Sequence, residues 1–183
     1  MPDTYTLHGG NGETALSMLD EITELYLHAH QETDQDNEPL YHQDAFLTRT
    51  RNQTQRDGFT IVWARSHRTD LVGFCFGVPL GEGQWWTGNA SPPPPQILAA
   101  PKFAVIELIV RHDWRGRGLG RHLLDELLRE RPEQYATLTT RTNTPARRIY
   151  AQWGWEQVGT AQHTPEAPIM DQLVLRRTHS TGT

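Results

Sequence analysis

Residues 103–121 constrain this chain more than any other stretch: FAVIELIV is followed by RHDW and then RGRGLGR. Eight nearly unbroken β-forming residues read as a fully buried strand. Leu119, Leu123, Leu124, Leu127 and Leu128 then recur at helical spacing, so the glycines lie where a strand hands over to a helix. The first turn of a helix leaves backbone N–H groups unpartnered and carries the positive end of the helix dipole. Gly116, Gly118 and Gly120 have no side chain to hold a phosphate off that backbone, and Arg115, Arg117 and Arg121 add cationic donors around it. The stretch reads as a diphosphate cradle, with an ordinary tight turn as the bland alternative.

Other glycine-rich phosphate loops are a poorer fit. A P-loop ends in Gly-Lys-Ser/Thr to reach phosphate and magnesium, whereas Gly120 is followed by Arg121 and His122. A dinucleotide fingerprint is spaced G-x-G-x-x-G; here the spacing is G-x-G-x-G, with no convincing second βαβ unit. The loop resembles the Q/R-x-x-G-x-G/A signature of the GNAT N-acetyltransferase superfamily, with Arg115, Gly118 and Gly120 at the marked positions. Residues Asn143 to Trp155 (NTPARRIYAQWGW) resemble the family's later motif, N-x-x-A-x-x-x-Y-x-x-x-G-F, with Trp155 in place of Phe. That segment also reads independently. Thr144 is a good N-cap, Pro145 a good first helical residue and Gly154 a terminator, while Ala146 and Tyr150 share one face. Two motifs in the right order carry far more weight than either alone. The resemblance spans roughly residues 59 to 177 and weakens before that.

The resemblance implies a fold and a chemistry. The fold class is α/β (α+β): one domain, 1–183, with a mixed, mostly antiparallel sheet of about seven strands and helices on both faces. Acetyl-CoA is the implied co-substrate, with no metal. Its pyrophosphate would lie on Arg115, Gly116, Arg117, Gly118, Leu119, Gly120 and Arg121, and its pantetheine arm beside the backbone of Leu108, Ile109 and Val110. Asn143, Ala146, Arg147 and Tyr150 would complete the cofactor contacts. Tyr150 matches the family's general acid, and an amine acceptor attacks the thioester directly in a ternary complex. A GNAT-fold sensor or scaffold without turnover is the rival from another class. A protein N-terminal or lysine acetyltransferase is the rival within enzymes.

Along the chain, Tyr5 to His8 reads as a short strand, and Glu13 to about His30 as an amphipathic helix on Leu16, Leu19, Ile22, Leu25, Tyr26 and Ala29. A second helix is expected over about Tyr41 to Gln55, so the acceptor-side helices occupy about 13–55. Phe59–Arg65 and Leu71–Val78 read as a hairpin. The loop 79–101 holds Trp85-Trp86 and four prolines, Pro92 to Pro95, which exclude regular helix or sheet. Trp85 and Trp86 either wall the acceptor pocket or pin the loop to the surface. After the cofactor core (about 103–155 from its central strand), Tyr135–Thr140 is a strand, and Trp155–Thr160 with Ile169–Arg176 a final hairpin.

Composition narrows the partners. The first sixty residues hold eleven Asp/Glu against three arginines, leaving the rest of this −5 chain net positive. Glu32, Asp34, Asp36 and Glu38 are candidates for attracting an amine, or simply a solvated loop. Nucleic acid is a poor partner for a net acidic chain whose arginines gather at one loop. No apolar run approaches a membrane span, and the start lacks the features of a signal peptide. One cysteine, Cys75, suits a reducing cytoplasm and sits in Phe74-Cys75-Phe76 as a packed thiol. The acceptor expected is a small cationic amine, and a homodimer is left open.

Two protons need handling. A lysine-like amine with a pKa of about 10.4 must lose one, and a thiolate with a pKa near 8.5 benefits from gaining one. Glu107 interrupts FAVIELIV with a carboxylate, costly if buried unpaired. It reads as the general base or as an arginine-paired structural residue.

Overall fold

The computed structural model describes residues 4–31 and 38–178. Its elements in chain order are β1 (Tyr5–Gly10), α1 (Gly12–Ser17), α2 (Leu19–Gln31), α3 (Gln43–Thr54), β2 (Thr60–Ser66), β3 (Leu71–Leu80), β4 (Asn89–Ala90), α4 (Pro95–Ala99), β5 (Lys102–Val110), α5 (Leu119–Leu128), β6 (Tyr135–Arg141), α6 (Pro145–Gln152), β7 (Glu156–Gln162) and β8 (Met170–Arg176). The class is α/β, with a mixed, mostly antiparallel sheet of eight strands. The strand beyond the expected seven is the two-residue β4, which pairs with β7 from within the proline-tryptophan loop. Chain contacts form two compact units: Met1–Val78 with Ile106–Arg131, and Pro79–Val105 with Pro132–Thr183.

In the first unit the strands run in the order β1-β2-β3-β5. β1–β2 and β2–β3 are antiparallel, the latter with a bulge at Ala64/Arg65. The single amphipathic helix expected over 13–30 is two helices. Asn11 caps α1 by accepting from the Thr14 N–H at 3.1 Å, and the helix stops at Met18, whose N–H turns back to Ala15 O. A Cβ on Gly12 would fall 1.9 Å from Thr54 O, so only glycine lets α1 lie this close to the end of α3. Leu16, expected on the apolar face, is consequently exposed, while Leu19, Ile22, Leu25, Tyr26 and Ala29 of α2 are buried at helical spacing. One 3-10 turn, Pro39–Tyr41, precedes α3, whose buried residues are Phe46, Thr50 and Thr54. Phe74, Cys75 and Phe76 are fully buried on β3, and burial, with the nearby Glu107 charge, pushes the Cys75 thiol well up. That thiol packs rather than reacts.

In the second unit the order is β5-β6-β8-β7-β4. β5 runs parallel to β6, with Lys102, Phe103 and Ala104 opposite Tyr135, Ala136 and Thr137. The β6–β8, β7–β8 and β4–β7 pairs are antiparallel. Proline does not bar all regular structure here: the last of the four, Pro95, opens α4, where a missing N–H costs nothing. Lys102 fastens this loop. Its ammonium is buried and donates to Ala100 O (2.7 Å), Leu98 O (3.1 Å), Gly81 O (3.2 Å) and Ile97 O (3.2 Å). Burial lowers its pKa, and the carbonyl cage satisfies the charge that burial would otherwise penalise.

Candidate functional site

β5 ends at Val110, and a 3-10 turn (His112–Trp114) delivers the chain to the glycine loop. Buried Trp114 anchors the turn edge-on against Tyr5, with ring centroids 6.1 Å apart and planes at 77°. The Arg117 guanidinium lies 5.8 Å over the Trp114 ring. Arg115 Nε donates to Val110 O at 2.9 Å, and Arg121 Nε to Asp125 at 3.0 Å. Arg111 is spent on Asp113, to which it donates twice, at 2.7 and 2.9 Å; that contact holds the Asp113 carboxyl below its usual range.

The glycines explain the rest of the loop. Gly116 and Gly118 adopt φ of +71° and +82°, a region L side chains avoid. No atom lies within 4 Å of a Cβ built on either. Their packing therefore does not demand glycine; their backbone does, and the space above them is open. Gly118 is the N-cap of α5 and offers no capping side chain, so no side chain closes the first turn. No acidic side chain occupies that first turn. Backbone donors, a positive dipole end and open space suit the diphosphate of a nucleotide tail.

The same unit contains a buried polar cluster around Glu107. Arg49 of α3 donates from Nη1 to Leu40 O at 2.7 Å and from Nη2 to Tyr26 Oη at 2.7 Å. Its Nη2 also lies 3.5 Å from Glu107 Oε1. The guanidinium stands 5.5 Å from the Tyr26 ring centroid and 5.4 Å from that of Phe46, and these two rings stack at 3.9 Å. The Glu107 side chain is 16% exposed. Burial pushes its pKa up to about 7, against the opposing pull of Arg49. Tyr26 is raised too, by burial first and by the Glu107 charge second. Leu108, Ile109 and Val110 follow Glu107 as the last residues of β5.

The second unit carries the later motif. Thr144 caps α6, its hydroxyl accepting from the Arg147 N–H at 3.2 Å, and Pro145 is the first helical residue. Asn143 adopts φ of +60°, which asparagine tolerates. Arg147 Nε donates to Asp171 Oδ2 at 2.9 Å; that buried carboxylate also accepts from Thr142 Oγ1 (3.0 Å) and Gln157 Nε2 (2.9 Å). Ala146 is exposed and Tyr150 half-buried, and no residue of α6 is fully buried. Tyr150 meets Trp153 and Trp155 edge-on at 5.8 and 5.9 Å. Trp85 packs on Ile97, Tyr135 and Val174 and donates from Nε1 to Ser91 O at 3.1 Å. Trp86 donates to Thr137 Oγ1 at 3.0 Å. Glu32 and Asp34 lie outside the described residues.

Sequence reading missed Arg49, Tyr26 and Asp171. Tyr26 was legible only as one of several apolar positions on a helix. Arg49 lies 58 residues from Glu107, a separation over which no local pattern reports. Among the described residues, no group of three or more His, Cys, Asp or Glu side chains could hold a metal ion. No helix there is long and apolar enough to cross a membrane.

A family model described as the acetyltransferase (GNAT) family matches residues 19–155. Among solved structures, a protein of Pyrococcus horikoshii is similar over 96% of this chain and 100% of its own, with a TM-score of 0.65 and 18% identity. The PaiA N-acetyltransferase of Thermoplasma acidophilum, solved with coenzyme A, covers 95% of this chain and 99% of its own (TM-score 0.57, 13% identity). A glucosamine N-acetyltransferase region of a fungal multi-domain beta-N-acetylglucosaminidase matches 86% of this chain (TM-score 0.61, 15% identity), which spans only 17% of that longer protein. No match to the sequence was found among curated proteins.

Proposed function

This chain belongs to the acetyltransferase (GNAT) family, and from that premise we propose that it moves an acetyl group from acetyl-CoA to the primary amine of a small cationic molecule. The observation that carries the reading is the start of α5, an uncapped first turn behind two glycines whose outer face is open. Residues Arg115 to Arg121 bind the diphosphate there, and the end of β5 at Leu108, Ile109 and Val110 orients the pantetheine arm. Asn143, Ala146 and Arg147 add contacts from the start of α6. Acetyl-CoA supplies the acyl group as a thioester; a C–N bond forms and the C–S bond breaks.

Glu107 takes the proton of the acceptor ammonium. An ordinary carboxylate lies about six pH units below a lysine-like amine, too weak a base to be efficient. At about 7, Glu107 closes the gap to about three units, which makes it more basic by about 3 kcal/mol. Tyr150 gives a proton to the departing thiolate. The acidic first sixty residues, Glu32 and Asp34 among them, support a cationic acceptor.

The test is thiol release from acetyl-CoA across amines, aminoglycosides and short peptides. Because the reactive form is the carboxylate, activity should rise with pH through a midpoint at about 7 and level off about one to two units above it, and Glu107→Gln should lower kcat and erase that limb. A limb unchanged in the variant would return Glu107 to a structural role. Coenzyme A binding without release of thiol from any amine would favour a sensor. Release with peptides alone would favour a protein acetyltransferase.

A further inference from the structure

Arg49 is placed oddly for a structural partner of Glu107. A buried arginine–carboxylate pair is at its best as a fork, with two short parallel hydrogen bonds. Arg49 instead spends its two 2.7 Å contacts on Leu40 O and Tyr26 Oη and stands 3.5 Å from Glu107 Oε1. Three segments of the chain thus fix the guanidinium: α3 carries it, the turn at Leu40 accepts from one nitrogen, and α2 accepts from the other. The Tyr26 and Phe46 rings hold its plane. The result is a cation held rigidly near the carboxylate while leaving that carboxylate's lone pairs available. Among the described residues, Glu107 has no other hydrogen-bond partner.

We propose that Arg49 is a positioning residue for the acyl transfer, a clamped cation that holds Glu107 in place and keeps it a proton acceptor at neutral pH. The proposal rests on Glu107 being the base. The titratable and charged groups facing the carboxyl are Arg49 from α3, Tyr26 from α2 and the Cys75 thiol from β3, with Tyr41 beyond Tyr26. Arg49 is the cation among them. Burial drives the carboxyl towards its neutral form, and Arg49 opposes that drive. Tyr26 regulates the opposition, because its hydroxyl takes a hydrogen of the nitrogen that faces Glu107.

Two variants therefore act with opposite sign. Arg49→Met keeps most of the apolar stem and removes the charge; Tyr26→Phe removes the competing acceptor and releases Nη2 towards Glu107. Carboxyl-labelled glutamate NMR reads the Glu107 titration without any turnover, assigned by its loss in Glu107→Gln. The expected result is a midpoint about one pH unit or more higher in Arg49→Met and lower in Tyr26→Phe, with Arg49→Lys between wild type and Arg49→Met. The rising limb of kcat should move with each midpoint. Titrations that coincide in wild type and both variants would overturn the Arg49 inference. Midpoints that move while the kcat limb stays still would overturn the base reading and leave the clamp intact. Should Arg49→Met not fold, the downward shift in Tyr26→Phe decides alone: its presence supports the clamp, and its absence overturns it.

Discussion

Helices α5 and α6 both begin just after a strand, yet their first turns are finished in opposite ways. α6 is closed by its own chain: Thr144 accepts from the Arg147 N–H, Pro145 has no N–H to satisfy, and the Arg147 side chain is tied to buried Asp171. α5 begins on a left-handed glycine with no capping side chain and no acidic residue in its first turn. A glycine at the N-cap costs only a few tenths of a kcal/mol relative to a good capping side chain. The start of α5 thus lacks the side-chain closure that α6 has. The difference fits the proposed division between grip and chemistry, with the start of α5 holding the anion and half-buried Tyr150 of α6 acting as the acid.

If α6 contributes chemistry, Tyr150→Phe should lower kcat by roughly 10²- to 10⁴-fold while coenzyme A affinity, measured by calorimetry, stays within about twofold. Equal turnover would remove the acid and erase the contrast. Gly120→Asp attacks the other side. A carboxylate in the first turn of α5 favours the helix dipole, so the fold should hold. The same charge against phosphate should weaken coenzyme A binding on the order of a hundredfold. Intact binding would mean that the bare turn is not the cradle. Thr144→Ala is the smallest: about 1 kcal/mol less stable to urea, with cofactor affinity nearly unchanged. A cofactor loss matching that of Gly120→Asp would show α6 to be part of the grip.

Most of the site was legible because it is local. The strand-to-helix handover at 110–119 and the cap at Thr144 each follow from a few adjacent residues whose backbone requirements show in their type. The elements that escaped depend on neighbours far along the chain. A continuous helix over 13–30 satisfies the periodicity, but the close approach of Gly12 to Thr54 is a contact that no spacing within the helix encodes. β4 is two residues long and exists only because β7 lies beside it. Trp85 and Trp86 were visible as aromatic residues in a loop. Their hydrogen bonds to Ser91 and Thr137 depend on how Lys102 and the prolines fold that loop.

The sequence by itself determined most of the strands and helices, though not β4, α4 or the break between α1 and α2, together with the glycine turn and the carboxylate in the central strand, because periodicity and backbone preference act between near neighbours. Only the tertiary structure decided that burial pushes the Glu107 carboxyl up to about 7, and that Arg49 and Tyr26 are what stand beside it. The strength of a buried charge is set by whatever surrounds it in space, and the residues that surround this one come from distant parts of the chain.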